Sequence, residues 1–564
     1  MWKKIENYYW TLKYLKKSQL FYLVKNRLEQ RKKAVTQAKA PKTRSLSLWM
    51  QGLDEHPEYL KRFRVEEILK GNVTLLHESG RPEGKNWEHP DRSHLWNFNL
   101  HYLEFLIPLA AAYRREKDVR YYDCFRDCCI RWIQENREGT GDGWHPYTLS
   151  LRLTNLWICM DGFGKILQED REFLRKLNDS MYAQYRHLQK RMERHLLGNH
   201  YFENLKAVLL GALYFQEPEV YQRTKKRFAK EIREQILPDG VHCERSMMYH
   251  KIILEDLMRV EKAMGNRSRS MNRSDQTVHL PKLLKVMQKM ADAAYSLEDG
   301  MGRTPLFNDA GDNVARPLAG ILEALDEEFH IRPEYQQAFP VSGYYTLQNE
   351  DLKLVFDAGE IAPAYMPGHA HCDGLSFELS WKGKPLFVNS GTGQYQGELR
   401  SYFRSTAAHN TVVIDGEEQS QCWGEHRVGK RIRDIFGECG DKQVKGSLYT
   451  CTGKYQSRAI EWKDHTLVIC DKTDGSAAGY FHLTPEYEYS VLSEQKVQVQ
   501  DRAGALICRI CTMHGDRILI HKNDSACSYA PEFGKTEQIQ VMEILWNVRK
   551  EKHIIQLQFG NQEL

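Results

Sequence analysis

The hydrophobic period of this chain changes once, near residue 340, and that change limits the folds open to it. Before it, LWNFNLHYLEFLIPLAAAYRR, YYDCFRDCCIRWIQEN, SLRLTNLWICMDGFGKIL and NLKAVLLGALYF space apolar residues three and four apart, as one face of a helix requires. After it, SGYYTLQ, LKLVFDAG, LSFELSWKG, PLFVNSGTG, HNTVVIDG and HTLVICDKT alternate between Gly, Asp and Asn turns, as half-buried strands do. Helices in one block and strands in the next predict two stacked domains rather than one α/β sheet. We expect a basic arm over 1–45, a helical toroid or solenoid over 46–338 and an antiparallel β-sandwich over 339–564. Gly265–Asp275, GNRSRSMNRSD, reads as a loop. A cleft between the two large domains is the expected ligand site.

The net charge of +5 hides an asymmetry. Residues 1–45 hold thirteen Lys/Arg against two Glu, a charge of +11, which leaves −6 for the rest. Such an arm can meet nucleic acid, lipid or acidic glycan. It is read here as a charged surface helix, with Trp2, Tyr9, Leu12, Leu15, Tyr22 and Leu28 spaced to dock on the body, and no nucleic-acid partner is expected. No run approaches the roughly 18 apolar residues of a membrane span. Lys13, Lys16, Lys17 and Lys25 interrupt every apolar stretch that a signal peptide would need, so a cytoplasmic protein is expected. The thirteen cysteines show no framework spacing, and Cys508-x-x-Cys511 sits in an alternating segment rather than a strand-to-helix turn. They read as reduced thiols.

Three polar clusters interrupt this pattern. Gly198-Asn199-His200-Tyr201-Phe202-Glu203-Asn204 opens an apolar helix, with Asn199 and Glu203 on one face; an Asn there also suits a helix cap. Glu244-Arg245-Ser246-Met247-Met248-Tyr249-His250 opens another. A Tyr sharing a face with Arg245 suits proton transfer, and equally suits a half-buried anchor. Gly368-His369-Ala370-His371-Cys372-Asp373-Gly374 enters a strand, and His409 follows in Arg404-Ser-Thr-Ala-Ala-His409-Asn410-Thr411. His369 and His371 are two apart and point the same way in extended chain, so with His409 they form a plausible metal set.

NHYFENLKA, PDGVHCERSMMYH, PGHAHCDGLSFEL, LFVNSGT and YFRSTAAHNTVVIDGEEQ, with LWNFNLHYLEFL and YTLSLRLTN ahead of them, stand in the order found in heparinase II/III-like polysaccharide lyases. The chain resembles that family from about residue 95 to 420. The resemblance implies an incomplete α/α toroid followed by an antiparallel β-sandwich, and β-elimination on a uronate-containing acidic glycan. Heparan sulfate, chondroitin sulfate or hyaluronan is the expected substrate, with alginate or a bacterial exopolysaccharide as the alternative. It places the group acting on the uronate carboxyl at Asn199, with His200 beside it, the general acid at Tyr249, and the base or charge stabiliser at His369. Which of Tyr249 and His369 is the base stays open. His371 and His409 resemble ligands of one divalent metal, zinc, manganese or calcium. Asn389 stands where the family has Asp, which weakens that site.

These residues suit lysis, since the C5 proton is a poor acid until charge on the adjacent carboxylate is neutralised. Arg152, Arg245 and Arg404 are candidates for binding carboxylate or sulfate. Asn97, His101, Tyr102 and Glu203 are candidates for lining sugar subsites. Two rivals remain: a glycoside hydrolase built on Glu203, Glu244, Asp309 or Asp312, and a glycan-binding protein without catalysis.

Overall fold

The computed structural model describes residues 2–29, 39–270, 280 and 282–560. Its last long helix ends at Phe329 and its large sheets begin at Ala338. The N-terminal arm forms two helices, α1 (Trp2–Lys13) and α2 (Lys17–Glu29). In the toroid, the helices Pro146–Phe163, α3 (Gly198–Tyr214), α4 (Met247–Ser270) and Leu318–Phe329 pack each on the next. Arg171–Arg191 and Pro218–Gln235 lie outside them as amphipathic helices. Helix α3 is buried almost all round, which is why its sequence is apolar beyond one stripe. Helix α4 runs through Gly265 to Ser270, so the expected loop is helical over that stretch; positions 271–275 lie outside the described residues.

The sandwich has sheets of nine and eight strands. The first starts as an antiparallel meander, Ala338–Phe339, Tyr344–Gln348, β1 (Leu352–Asp357), β2 (Phe377–Trp381) and β3 (Lys384–Phe387). It continues through Ala477–Leu483 and Gln540–Leu545 to Arg517–His521. A separate short hairpin, β4 (Cys422–Trp423) with β5 (Arg427–Val428), stands above the meander's loops. The eight-stranded sheet alternates burial residue by residue, as in Thr466–Thr473, and its inner face meets Leu354, Phe356, Phe377 and Leu379 of the first. No helix among the described residues is long and apolar enough to cross a membrane.

Besides one core per domain, two smaller apolar clusters lie on the seam. Met248 and Tyr249 pack with Leu306, Val388, Tyr529 and Phe533; Met247 and Phe307 pack with Phe339, Tyr344 and Val355. The first turn of α4 is thereby fixed between the domains. The arm spans the same seam. Tyr8 meets Trp423 edge-on at 4.9 Å, and the Trp423 indole N–H donates to Thr11 at 3.2 Å. Gln19 donates to the carbonyls of His195 and Tyr365 at 3.3 and 3.1 Å, and Arg194 donates to the Tyr22 hydroxyl at 3.0 Å. The docking face is the expected one at Tyr22 and differs elsewhere. Tyr9, Leu12 and Leu28 are 61%, 52% and 66% exposed, because the contacts come from polar and aromatic residues on the opposite side of each helix.

Candidate active site between the domains

A cleft of about 1020 Å³ opens at the seam. His200, Glu203 and Tyr249 line it from the toroid; His369, Tyr395 and His426 line it from the sandwich side. The turn before α3 is tight. Leu197 and Gly198 both have positive φ, and a Cβ on Gly198 would collide with Met366 and Glu244. Only glycine lets the start of α3 approach the loop carrying His369 this closely.

His369 is held from behind. Its Nδ1 lies 2.8 Å from Asp309 Oδ2. A carboxylate only accepts, so Nδ1 carries a proton, while Nε2 stands 3.8 Å from Glu244 Oε2. Asp309 also accepts from His371 Nε2 at 2.8 Å and from both terminal nitrogens of Arg400. Burial opposes its charge, but Arg400 and the two histidines hold its carboxyl well below the usual range. The Tyr249 ring stands 4.4 Å from the His369 ring, and its hydroxyl is 2.7 Å from that of Tyr395. Burial pushes Tyr249 well above the ordinary phenol value, so it stays protonated at neutral pH. The expected Arg245–Tyr249 pairing is not formed. Arg245 precedes α4 with a φ of 55° and donates to the Ser342 carbonyl at 2.9 Å.

His200 faces the cleft with Nδ1 2.9 Å from Glu193 Oε1. Burial disfavours its charge, but the Glu193 carboxylate outweighs that and raises it above the ordinary imidazole value. Asn199 sits behind, only 1% exposed. Its Nδ2 is 3.0 Å from both oxygens of Glu244, its backbone N–H donates to Glu244 at 2.9 Å, and its Oδ1 has no partner. Its donors are thus engaged by a protein carboxylate.

His371, Asn389 and His409 lie one layer deeper, fully buried. His371 Nδ1, both ring nitrogens of His409 and Asn389 Nδ2 lack partners, and the two imidazole rings are 5.3 Å apart. Burial lowers His371 to about 4 and His409 well below the ordinary value, so both are neutral. A divalent cation would find two neutral imidazoles and a carboxamide, while the Asp309 carboxylate is already taken by Arg400. Among the described residues no three His, Cys, Asp or Glu side chains gather as a cation site. These residues do not fit a divalent metal centre, and no step below passes through one.

Of the expected sugar-binding residues, Tyr102 and Glu203 line the cleft, and Glu203 pairs with Lys206 at 2.5 Å. The others are struts. Asn97 bonds the backbone of His89 at 2.8 and 2.9 Å. His101 is fully buried, accepts from Trp132 Nε1 at 3.2 Å and is lowered to about 3 by burial. Arg152, also fully buried, donates to Gln184, His101 O and Gly143 O at 2.6–2.9 Å and stacks on Trp132. Arg404 donates to the carbonyls of Ala370, Gly424, Glu425 and Arg427, tying the β4–β5 hairpin down. A long Arg saturating buried carbonyls has the same sequence signature as one awaiting a ligand. Tyr395, Arg400, Glu193 and His426 were not anticipated. Glu193 lies seven residues before the His200 it bonds, whereas Tyr395 and Arg400 are 146 and 91 positions from Tyr249 and Asp309.

The fold and this site define a two-domain protein, a helical toroid followed by a β-sandwich, and the chain belongs to the heparinase II/III-like family. The model described as Heparinase II/III N-terminus matches residues 12–334, and Heparinase II/III-like, C-terminal, matches residues 331–555. A heparin-sulfate lyase of Bacteroides thetaiotaomicron is 24% identical over 414 residues, 64% of this chain and 58% of that protein. One of Pedobacter heparinus is 23% identical over 371 residues, 59% of this chain and 54% of that protein. The chain thus spans less than two thirds of the length of these relatives. A crystal structure of heparinase III superposes with a TM-score of 0.70 at 17% identity, covering 97% of this chain and 92% of that one. A heparan sulfate lyase mutant from Pedobacter heparinus gives 0.60 at 16% identity, covering 89% and 83%. At these identities the structural likeness is one of fold.

Proposed function

We propose that this protein is a polysaccharide lyase that cleaves a uronate-containing glycosaminoglycan, of the heparan sulfate type, by β-elimination. The observation that carries the reading is the His369–Asp309 dyad standing 4.4 Å, ring to ring, from the Tyr249–Tyr395 pair at the mouth of the cleft. His369 Nε2, the nitrogen not bonded to Asp309, removes the C5 proton. The protonated Tyr249 hydroxyl donates to the departing O4, and Tyr395 is placed to return a proton to it. His200, whose positive charge the Glu193 carboxylate favours, neutralises the uronate carboxylate as charge spreads onto it from C5. Asn199 reaches that carboxylate only by releasing Glu244. This assigns the base to His369 and gives His200 the neutralising part first expected of Asn199.

Hydrolysis is the weaker reading because its carboxylates are occupied. Glu203 pairs with Lys206, Glu244 holds Asn199, Asp309 holds Arg400 and Asp312 accepts from Thr304. The test is a panel of heparan sulfate, chondroitin sulfate, hyaluronan and alginate, followed by the ultraviolet absorbance of the C4–C5 double bond. Heparan sulfate is expected to give the strongest signal. New reducing ends without that absorbance would replace elimination by hydrolysis, and a strong signal from alginate alone would replace the substrate.

A further inference from the structure

Cys372 and Cys422 are the two thiols, of thirteen free cysteines, whose sulfurs meet in a hydrogen bond, with Sγ atoms 3.6 Å apart. They belong to different loops of the site. Cys372 follows the His369–His371 turn, is 1% exposed and also faces the Ser420 carbonyl at 3.3 Å. Cys422 is half-buried in β4, and faces the Ala370 carbonyl at 3.9 Å. The hairpin holding Cys422 is small, pairing only Cys422 with Val428 and Trp423 with Arg427. Between those strands lies His426, whose Nδ1 is 3.3 Å from the Gly368 carbonyl and whose ring stands 6.3 Å from His369 and 5.7 Å from Tyr395. The hairpin is thus a roof over the cleft, and the two sulfurs are where roof meets floor. A disulfide has a sulfur separation of about 2.05 Å, so closure needs an approach of about 1.5 Å. A two-residue hairpin on the surface can supply that.

We propose that Cys372 and Cys422 form a peroxide-sensitive dithiol whose oxidation locks the His426 hairpin onto the His369 loop. In the first step the Cys422 thiolate attacks hydrogen peroxide. The O–O bond breaks, hydroxide leaves and takes a proton to become water, and Cys422 becomes a sulfenic acid. In the second, the Cys372 sulfur, losing its proton, attacks Cys422 Sγ and expels the sulfenic oxygen as a second water. Two thiols and one peroxide thus give one disulfide and two waters. A dithiol reductant reverses the bridge by thiol–disulfide exchange. The consequence for turnover rests on the lyase reading above; the chemistry at sulfur does not.

The experiment treats the full chain with one equivalent of hydrogen peroxide, then unfolds it in denaturant and blocks the remaining thiols with iodoacetamide. Peptide mapping is expected to find Cys372 joined to Cys422, with eleven of the thirteen cysteines alkylated. Heparan sulfate turnover is expected to fall at least about fivefold and to return with dithiothreitol, because a roof that cannot move slows substrate entry and product release. Cys422→Ser and Cys372→Ala should each keep the untreated rate and lose the peroxide response. A bridge elsewhere, Cys422 found only as sulfinic acid, or a Cys372–Cys422 bridge with unchanged turnover would each overturn the proposal. If no glycan is cleaved at all, the lyase reading fails while the mapping still decides the bridge.

Discussion

His369 and His371 are two residues apart, bond the same carboxylate, and live in opposite worlds. His369 has one nitrogen fixed by Asp309, lies 3.8 Å from Glu244 with the other, and lines the cleft. His371, with Asn389 and His409, lies in a sealed pocket where several polar atoms have no partner at all. The difference teaches where the reactivity resides. A group that must gain and lose a proton needs a fixed tautomer and an open face, and only the first histidine has both. The second serves as a neutral donor that helps Asp309 keep its charge.

The largest effect should come from Asp309→Asn, which removes the negative charge and one of the two acceptor oxygens the histidines share. It leaves Arg400 buried without its counter-charge, so stability should fall by about 3 kcal/mol and turnover by about a thousandfold. Urea unfolding and steady-state kinetics would read the two separately; a mild loss in both would mean that the dyad does not organise the cleft. Next comes Tyr249→Phe, expected to lower kcat about a hundredfold or more with KM little changed. An unimpaired variant would move the acid to Tyr395.

His200→Gln should cost about tenfold or more and alter the pH profile. The folded value of His200 is raised, so its charge is present at low pH and lost as pH climbs through that raised value. Wild-type activity should therefore decline on the alkaline side, and the variant should lose that limb. A variant with the same limb would assign it elsewhere. The smallest effect belongs to the interior. Exhaustive chelation should leave melting temperature and activity unchanged, and His409→Gln should alter turnover less than about twofold. Asn389→Asp supplies the missing carboxylate, and only that variant should be stabilised by added zinc. Zinc stabilisation of the natural protein would erase the contrast between the two histidines.

The division into helices and strands was legible because burial imposes its period on every segment, from LWNFNLHYLEFL to HTLVICDKT. The gathering of His200, Tyr249 and His369 was legible through motif order. Their partners were not, because Glu193, Asp309 and Tyr395 sit in segments with no periodic or spacing signal. Asp309 precedes His369 by sixty positions and reaches it only through the packing of the seam. The sequence also could not tell a working arginine from a scaffolding one. Arg152 and Arg404 look like ligand anchors until their hydrogen bonds are traced to backbone carbonyls.

The arm has a mechanical consequence. Helix α1 is fastened to the β4–β5 hairpin and α2 to the loop that leads into α3, with only Tyr14, Leu15 and Lys16 between them. Three residues pulled straight span about 10 Å at most. The arm therefore ties the hairpin of the sandwich to the toroid, and the seam can open only by whatever slack those three residues hold. Any wider gape must first peel one helix from its bed.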